Sequence, residues 1–403
     1  MKNPAWNRMD LKIDALRKEA ESLEPTLVSD RRHLHQNPEL SFEEVQTSAF
    51  VQQRLRDLDI PVQSGIGGYG VVAHLEGHRP GPVVALRADM DALPIQEVNA
   101  VDYASKVPGV MHACGHDAHT ASLLGVAALL RNRTQEFSGT VRFLFQPAEE
   151  RLPGGASLMI RDGALSNPVP QAIYGQHVMP LLPVGTVGFR SGRYMASADE
   201  IRLTVRGRGG HAAMPHLNTD SVLVASHIVV ALQQVVSRRA DPTMPSVLSF
   251  GHILGEGAYN VLPNEVRLRG TFRTMDETWR ERAHVLIKEI AQGTASAMGA
   301  VCDVEIDRGY PMLFNHPQTT AFARETAENY LGPEKVVDLD LWMAAEDFAF
   351  YAQQIPATFY RLGTRNEAKG WISSVHTPTF DLDEKSLPLG AGLMAAIALK
   401  QLA

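Results

Sequence analysis

From about residue 80 onward, short apolar runs alternate with helix-like segments: PVVALRADMD, then SLLGVAALLRN, then TVRFLFQPAEE, then QAIYGQHVMP. Strand, helix and strand repeated in this way predict an α/β fold with a mostly parallel sheet flanked by helices. Each strand candidate ends in something polar. Asp89 and Asp91 follow PVVAL, Glu149 and Glu150 follow VRFLF, and His177 follows AIYGQ. Ligand crevices in open α/β sheets lie beyond the carboxyl ends of the strands, so these groups are expected to converge.

Between about 196 and 310 the texture changes. EIRLTV alternates like a half-buried strand, TDSVLVASHIVVALQQVVSR has the spacing of a long amphipathic helix, and SVLSFGHIL and EVRLRGTFRT are two further strands. A helix from about Asp276 to Met298 and a strand at VCDVEID complete a β-α-β-β-α-β order, the ferredoxin-like arrangement. The α/β texture then resumes, with a helix at QTTAFARETAENYLG and a strand at PATFYRLGT. The expected organisation is a catalytic domain in two parts, 1–195 and 311–403, interrupted by an inserted α+β domain at 196–310.

Composition narrows the partners. With 38 basic against 45 acidic residues, net −7, there is no electrostatic case for nucleic acid or an anionic membrane, which leaves small solutes. The N-terminal MKNPAWNRMDLKIDALRKEAESLE alternates charge with Leu and Ile at helical spacing and has no apolar core followed by a cleavage site. No run is read as long enough to span a membrane. Two cysteines, Cys114 and Cys302, do not make a disulfide framework, and a reducing, cytoplasmic setting is expected.

One of those cysteines sits in MHACGHDAHT, residues 111–120, among His112, His116, Asp117 and His119. Thiolate, imidazole and carboxylate together match zinc and neighbouring divalent metals. Cys114 and His116 are two apart, so in an extended loop they would share a face; a helix follows, with Leu123, Leu124, Ala127, Ala128 and Leu130 apolar. His112 and His119 are expected in supporting roles. In FQPAEE, alternation along an extended chain would point Glu149 and Glu150 opposite ways, one as ligand and the other as general base. A rival assignment makes Cys114 a nucleophile with His116 or His119 as base, but the local signatures of catalytic cysteines are missing.

These segments, with GQHVMP, GRGGHAAMPH, AAEDFAFY, VHTPTFD, RRHLHQNPELSFEE and RADMDALP, stand in the order seen in the metal-dependent N-acyl-amino-acid amidohydrolases, such as hippurate hydrolase and the auxin-conjugate hydrolases. The chain resembles that family from about Arg31 to Asp381. The resemblance implies a zinc-peptidase-like catalytic domain with an inserted lid and dimerisation domain, and two divalent metal ions per subunit (Zn, Mn, Co or Ni). It implies Cys114, His116, Glu150, His177 and His376 as metal ligands, the thiolate bridging, and Glu149 as general base. Asp89 and Asp91 resemble carboxylates that orient ligands, and Glu346 and Asp347 fall in a supporting motif. His211 resembles a lid histidine that steadies the oxyanion from a partner subunit, while Asn260 and Arg273 fall where relatives contact substrate carboxylate or oxyanion. The activity implied is hydrolysis of an N-acyl amino acid by a homodimer. A dipeptidase or carboxypeptidase using the same site is the alternative, and a non-catalytic metal- or ligand-binding homologue the second. One departure concerns the surroundings of His376: the chain continues LDEKSL after VHTPTFD.

Overall fold

A computed structural model describes residues 4–403, with side chains from Ile13 on, so the first residues of the N-terminal segment lie outside the described residues. The chain divides into two compact units. One comprises Met1–Gly192, Phe314–Asp340 and Asp347–Ala403; the other comprises Arg193–Leu313 and Leu341–Glu346.

The larger unit is built on an eight-stranded sheet. Its order is Val62–Ile66, Gly70–Glu76, Thr140–Gln146, Val83–Asp89, Ala172–Pro183, Ala357–Arg365, Val187–Phe189 and Val336–Asp338. The four central strands run parallel, and antiparallel neighbours sit outside them. Every residue of Val83–Asp89 is buried, as a strand covered on both faces requires. Strand register gathers the polar groups: Asp89 lies beside Gln146, and Arg361 lies beside His177, so neighbouring strands deliver them at the same end of the sheet.

The helix His116–Arg131 is buried at every position except Ala128 and Arg131, and packs against the sheet and the C-terminal helix Ser386–Leu402. A helix that is apolar nearly all round belongs in an interior. Its one buried acid near the start, Asp117, is matched by Arg31 at 2.8 Å and His35 at 2.7 Å, both from the helix Glu24–Gln36. Arg31 also reaches Asp381 at 2.8 Å. Burying these charges is tolerable only because each has its partner.

The smaller unit has a four-stranded antiparallel sheet in the order Ser246–Leu254, Glu265–Thr274, Asp199–Arg206, Val301–Arg308. Two helices, Ser221–Gln234 and Glu277–Ala297, pack on each other and on this sheet, in β-α-β-β-α-β chain order. Each begins at an aspartate that caps it: Asp220 accepts from Val222 and Leu223, and Asp276 accepts from Trp279. One expectation needs correction. The helical stretch Ser221–Arg239 is long and apolar enough to cross a membrane by length and composition. Val224, Ala225, Ile228, Leu232 and Val235 turn inward to the unit's core, which accounts for much of that apolar content, while Val222, Leu223 and Val230 remain exposed.

Candidate metal centre

Three turns and one strand bring five donor side chains together. The first turn is Cys114–Gly115, directly before the helix that His116 opens. Gly115 adopts φ +83°, and a Cβ there would lie 2.5 Å from Val178 Cγ2, so only glycine fits on both counts. The pairing of Cys114 with His116 therefore comes from a left-handed turn into a helix and not from an extended loop. The second turn follows Thr140–Gln146: the strand ends at Gln146, and Ala148 takes φ +52° before Glu149 and Glu150. This turn, and not strand alternation, aims the two glutamates. His177 lies within Ala172–Pro183. His376 takes φ +61°, with its N–H donated to the Ala113 carbonyl at 2.7 Å. Non-glycine residues in the left-handed region are uncommon, and two of them carry or precede donors here.

The donor atoms form two triplets that share one sulfur. Cys114, His116 and His177 make one, and Cys114, Glu150 and His376 the other, with the ligand atoms of each within 4.8 Å of one another. Cys114 Sγ is 3.4 Å from His177 Nε2 and 3.3 Å from His376 Nε2, and His376 Nε2 is 3.1 Å from Glu150 Oε1. Glu149 and Glu150 form a third such group with His116, which sets Glu149 beside both triplets. Cys114, His116, His177 and Glu149 are buried, Glu150 is half-buried and His376 is exposed.

The tautomers follow from the neighbours. His116 Nδ1 faces the Asp91 carbonyl at 2.9 Å and His177 Nδ1 faces the Val178 carbonyl at 2.8 Å; a carbonyl only accepts, so both Nδ1 atoms carry the proton. Each Nε2 lone pair is thereby left for the cluster. His116 Nε2 is buried with no hydrogen-bond partner among the described residues, its nearest carboxylates being 3.8 and 3.9 Å away. His119 differs. Its Nε2 accepts the Val178 N–H at 2.9 Å and its Nδ1 donates to Asp89 at 2.5 Å, so both nitrogens are spoken for and it supports the site without facing it.

Electrostatics point the same way. Burial, and then the Glu150 carboxylate, push the Cys114 thiol up. Hydrogen bonds to Cys114 and Glu150 carry His376 up to about 10. For His116, burial pulls downward but Asp89 and Cys114 outweigh it and hold it well above the ordinary histidine range. Burial, and then the Arg361 guanidinium, hold His177 well below the ordinary histidine range. A buried orphan Nε2, a buried thiol and a carboxylate converging on one spot fit divalent metal.

A surrounding layer fixes these groups. Asp91 accepts from Ser41 Oγ at 2.6 Å and from the Glu150 N–H at 3.0 Å, besides holding His116. Arg87, 1% exposed, bridges Asp89 at 2.6 Å and Asp347 at 2.9 Å. Asp347 also accepts from Gln146 and from the Ala156 N–H, and its own N–H is 3.3 Å from Glu149 Oε1. Arg87, Gln146 and Glu44 lie inside RADMDALP, FQPAEE and RRHLHQNPELSFEE, but the sequence alone gives none of them a role. A charged residue in the middle of an unbroken apolar strand was the available signal for Arg87, because a buried guanidinium must find an acid. His112 is buried with neither ring nitrogen bonded among the described residues, and burial lowers it to about 4. Both cysteines are free thiols.

The smaller unit holds the other three candidates. His211 lies in the short strand Gly210–His211, paired to Val261–Leu262, and the Ala212 N–H donates to the Asn260 carbonyl at 3.0 Å, so His211 and Asn260 share one exposed ribbon. The glycines before His211 serve different needs: a Cβ on Gly207 or Gly209 would meet backbone oxygens at 2.2 and 2.3 Å, and of the three only Gly210 has a positive φ. Arg273 is half-buried, with a guanidinium nitrogen 3.3 Å from the Met343 carbonyl.

A mostly parallel sheet whose strands and adjoining turns gather thiol, imidazoles and carboxylates, with a further glutamate alongside, is the arrangement of a metal-dependent hydrolase. The chain belongs to peptidase family M20/M25/M40, whose family model matches residues 85–400. It is 40% identical to N-acetyl-L-cysteine deacetylase of Bacillus subtilis, over 91% of this chain and 86% of that one. It is 38% identical to thermostable carboxypeptidase 2 of Saccharolobus solfataricus, over 97% and 99%. Its fold is similar to that of the YXEP protein of Bacillus subtilis, described as a dinuclear metal-binding peptidase of the M20 family, with a TM-score of 0.82, 35% identity and coverage of 95% and 99%.

The turn at Gly115 yields a direct prediction. Gly115→Ala places a methyl group against Val178 and strains the backbone, so thermal stability should fall by about 1–3 kcal/mol and metal affinity with it. A variant with unchanged melting temperature and metal content would show that the turn is not what sets the Cys114–His116 pairing.

Proposed function

We propose that this chain hydrolyses the amide bond of N-acyl amino acids, releasing a carboxylic acid and a free amino acid. The observation that carries this reading is the pair of donor triplets sharing Cys114, with Glu149 beside both. Cys114, His116 and His177 would hold one divalent ion, and Cys114, Glu150 and His376 the other. The Cys114 side chain would then belong to both donor sets, and bound cations would favour its thiolate form. Bound metal supplies Lewis acidity toward the scissile carbonyl and a more acidic water.

The remaining work falls to side chains. Glu149 accepts the proton of the attacking water and passes it to the leaving amine. Asp347, through its N–H, and the Gln146–Arg87 group behind it keep the base in place. His211 donates a hydrogen bond to the developing oxyanion, and Arg273 with Asn260 receives the substrate carboxylate or the oxyanion. Named activities of relatives support the choice of substrate, since one at 40% identity is an N-acetyl-L-cysteine deacetylase. The carboxypeptidase at 38% identity favours a second reading, peptide-bond cleavage at the same site. Steady-state comparison of N-acetyl and N-benzoyl amino acids with dipeptides, with Zn, Mn, Co or Ni restored in turn to chelated protein, separates the two. Faster turnover of dipeptides under every metal would reject the first.

The division of labour between adjacent glutamates is testable. Glu149→Gln should keep its metal while kcat falls by about 10²–10⁴. Glu150→Gln should lose metal. The opposite pattern, read by elemental analysis of both variants, would reverse the two roles.

A homodimer belongs to the same proposal, with His211 acting on the partner's metal site. The strand Ser246–Leu254 is an edge of its sheet, and Val247, Ile253 and Leu254 are exposed along it. Exposed edges are commonly paired by a two-fold partner. His211→Ala should bind metal normally and lose roughly 10²–10³ in kcat, the size of one missing oxyanion donor. Mixing it with Glu149→Gln chains should restore activity, because one hybrid site then holds both groups. Verified heterodimers that stay inactive would refute action across subunits.

A further inference from the structure

The N-terminal segment ELSFEE, residues 39–44, supplies neither ligand nor base, yet it lies against the turn that bears both site glutamates. We propose that Glu44 is the positioning residue for that turn: by accepting the Ala148 N–H it locks the left-handed alanine that aims Glu149 and Glu150.

Glu44 is fully buried, and its Oε1 accepts the Ala148 N–H at 2.7 Å across 104 residues of sequence. It stands at the N-cap position of the helix Val45–Arg56 but makes no cap bond with its side chain. An acidic side chain there would ordinarily serve the free N–H groups of its own helix. This one is committed elsewhere. Its recipient, Ala148, has φ +52°, a region alanine seldom occupies without outside constraint. The Ala148 carbonyl in turn accepts the Gly155 N–H at 2.9 Å, so both sides of the strained residue are fixed.

The next hold on the turn comes from the same segment. Ser41 Oγ donates to Asp91 Oδ2 at 2.6 Å, and that oxygen accepts the Glu150 N–H at 3.0 Å. Ser41 and Glu44 thus grip the turn at alternate residues, one through Asp91 and one directly. Of the two, Glu44 is the contact that meets the strained residue itself. With it removed, Ala148 keeps a buried N–H without an acceptor, and relaxing its φ would rotate the following peptide and with it Glu149 and Glu150.

What the turn needs is an acceptor atom, not a charge. That separates this role from a general electrostatic or packing one, because glutamine retains a carbonyl oxygen at the same reach while alanine does not. The inference rests on the reading that Glu150 binds metal and Glu149 is the base. Glu150→Gln, titrated in parallel, tests that reading independently, since it should lose metal whatever Glu44 does.

The experiment titrates metal-free Glu44→Ala, Glu44→Gln and unaltered protein with zinc alone, following stoichiometry and affinity, and then measures kcat and KM on the best N-acyl amino acid. Glu44→Ala should bind one of its two ions at least about tenfold more weakly and lose at least tenfold in kcat with a smaller change in KM. Glu44→Gln should stay within about threefold of the unaltered protein in both measurements. Alanine behaving like the unaltered chain would overturn the proposal, and so would glutamine being as impaired as alanine. Should the alanine variant not fold, glutamine decides alone: retained zinc binding and kcat support an acceptor role, and their loss refutes it.

Discussion

A thiol buried among three imidazoles and two carboxylates is an unstable arrangement for protons alone. Cys114 is pushed up by burial, His116 and His376 are pushed up by the groups they face, and His116 Nε2 is left with nothing to bond among the described residues. Such a cluster settles when positive charge occupies the space between the donors. Much of the larger unit serves to keep these donors close in spite of that cost. Parallel strands in register bring Asp89 and Gln146 to one end, and His177 comes from the next strand. The helix opening at His116 is tied down through Asp117 by Arg31 and His35.

Specificity of role comes from the second layer. Besides the exposed His376, three buried histidines lie around the site, yet only two of these direct Nε2 into the cluster. His116 and His177 are oriented by carbonyls, whereas His119 is consumed by Asp89 and the Val178 N–H. The same logic separates Glu149 from Glu150. They are neighbours in sequence, but one meets the Asp347 N–H and the other donates its own N–H to Asp91. Hydrogen-bond partners, more than residue type, decide which group faces the cluster and which stands behind it.

Local patterns announced most of the framework. Apolar runs at Val83–Asp89 and Thr140–Gln146 end at or just before polar residues of the site, whereas His177 lies inside the longer strand Ala172–Pro183 and not at its end; the alternation around Asp199–Arg206 and Glu265–Thr274 sets apart the inserted unit. What local pattern cannot contain is pairing between distant residues. Arg87 with Asp347, Arg31 with Asp117 and Glu44 with Ala148 are separated by 260, 86 and 104 positions. Backbone conformation was equally hidden: nothing in QPAEE marks Ala148 as left-handed, so alternation along a strand is not what orients the two glutamates. Ser221–Arg239 misled in the other direction, because its apolar residues serve two surfaces, the core of the small unit and an exposed face.

Whether one sulfur serves two metals is tested most directly by X-ray absorption spectroscopy of the zinc-loaded protein. A shared Cys114 thiolate predicts a sulfur scatterer near ~2.3 Å around both ions and a metal neighbour at roughly 3.5–4 Å, with the sulfur shell abolished in Cys114→Ser. A spectrum fitted by nitrogen and oxygen alone, or a sulfur shell that survives Cys114→Ser, would contradict it.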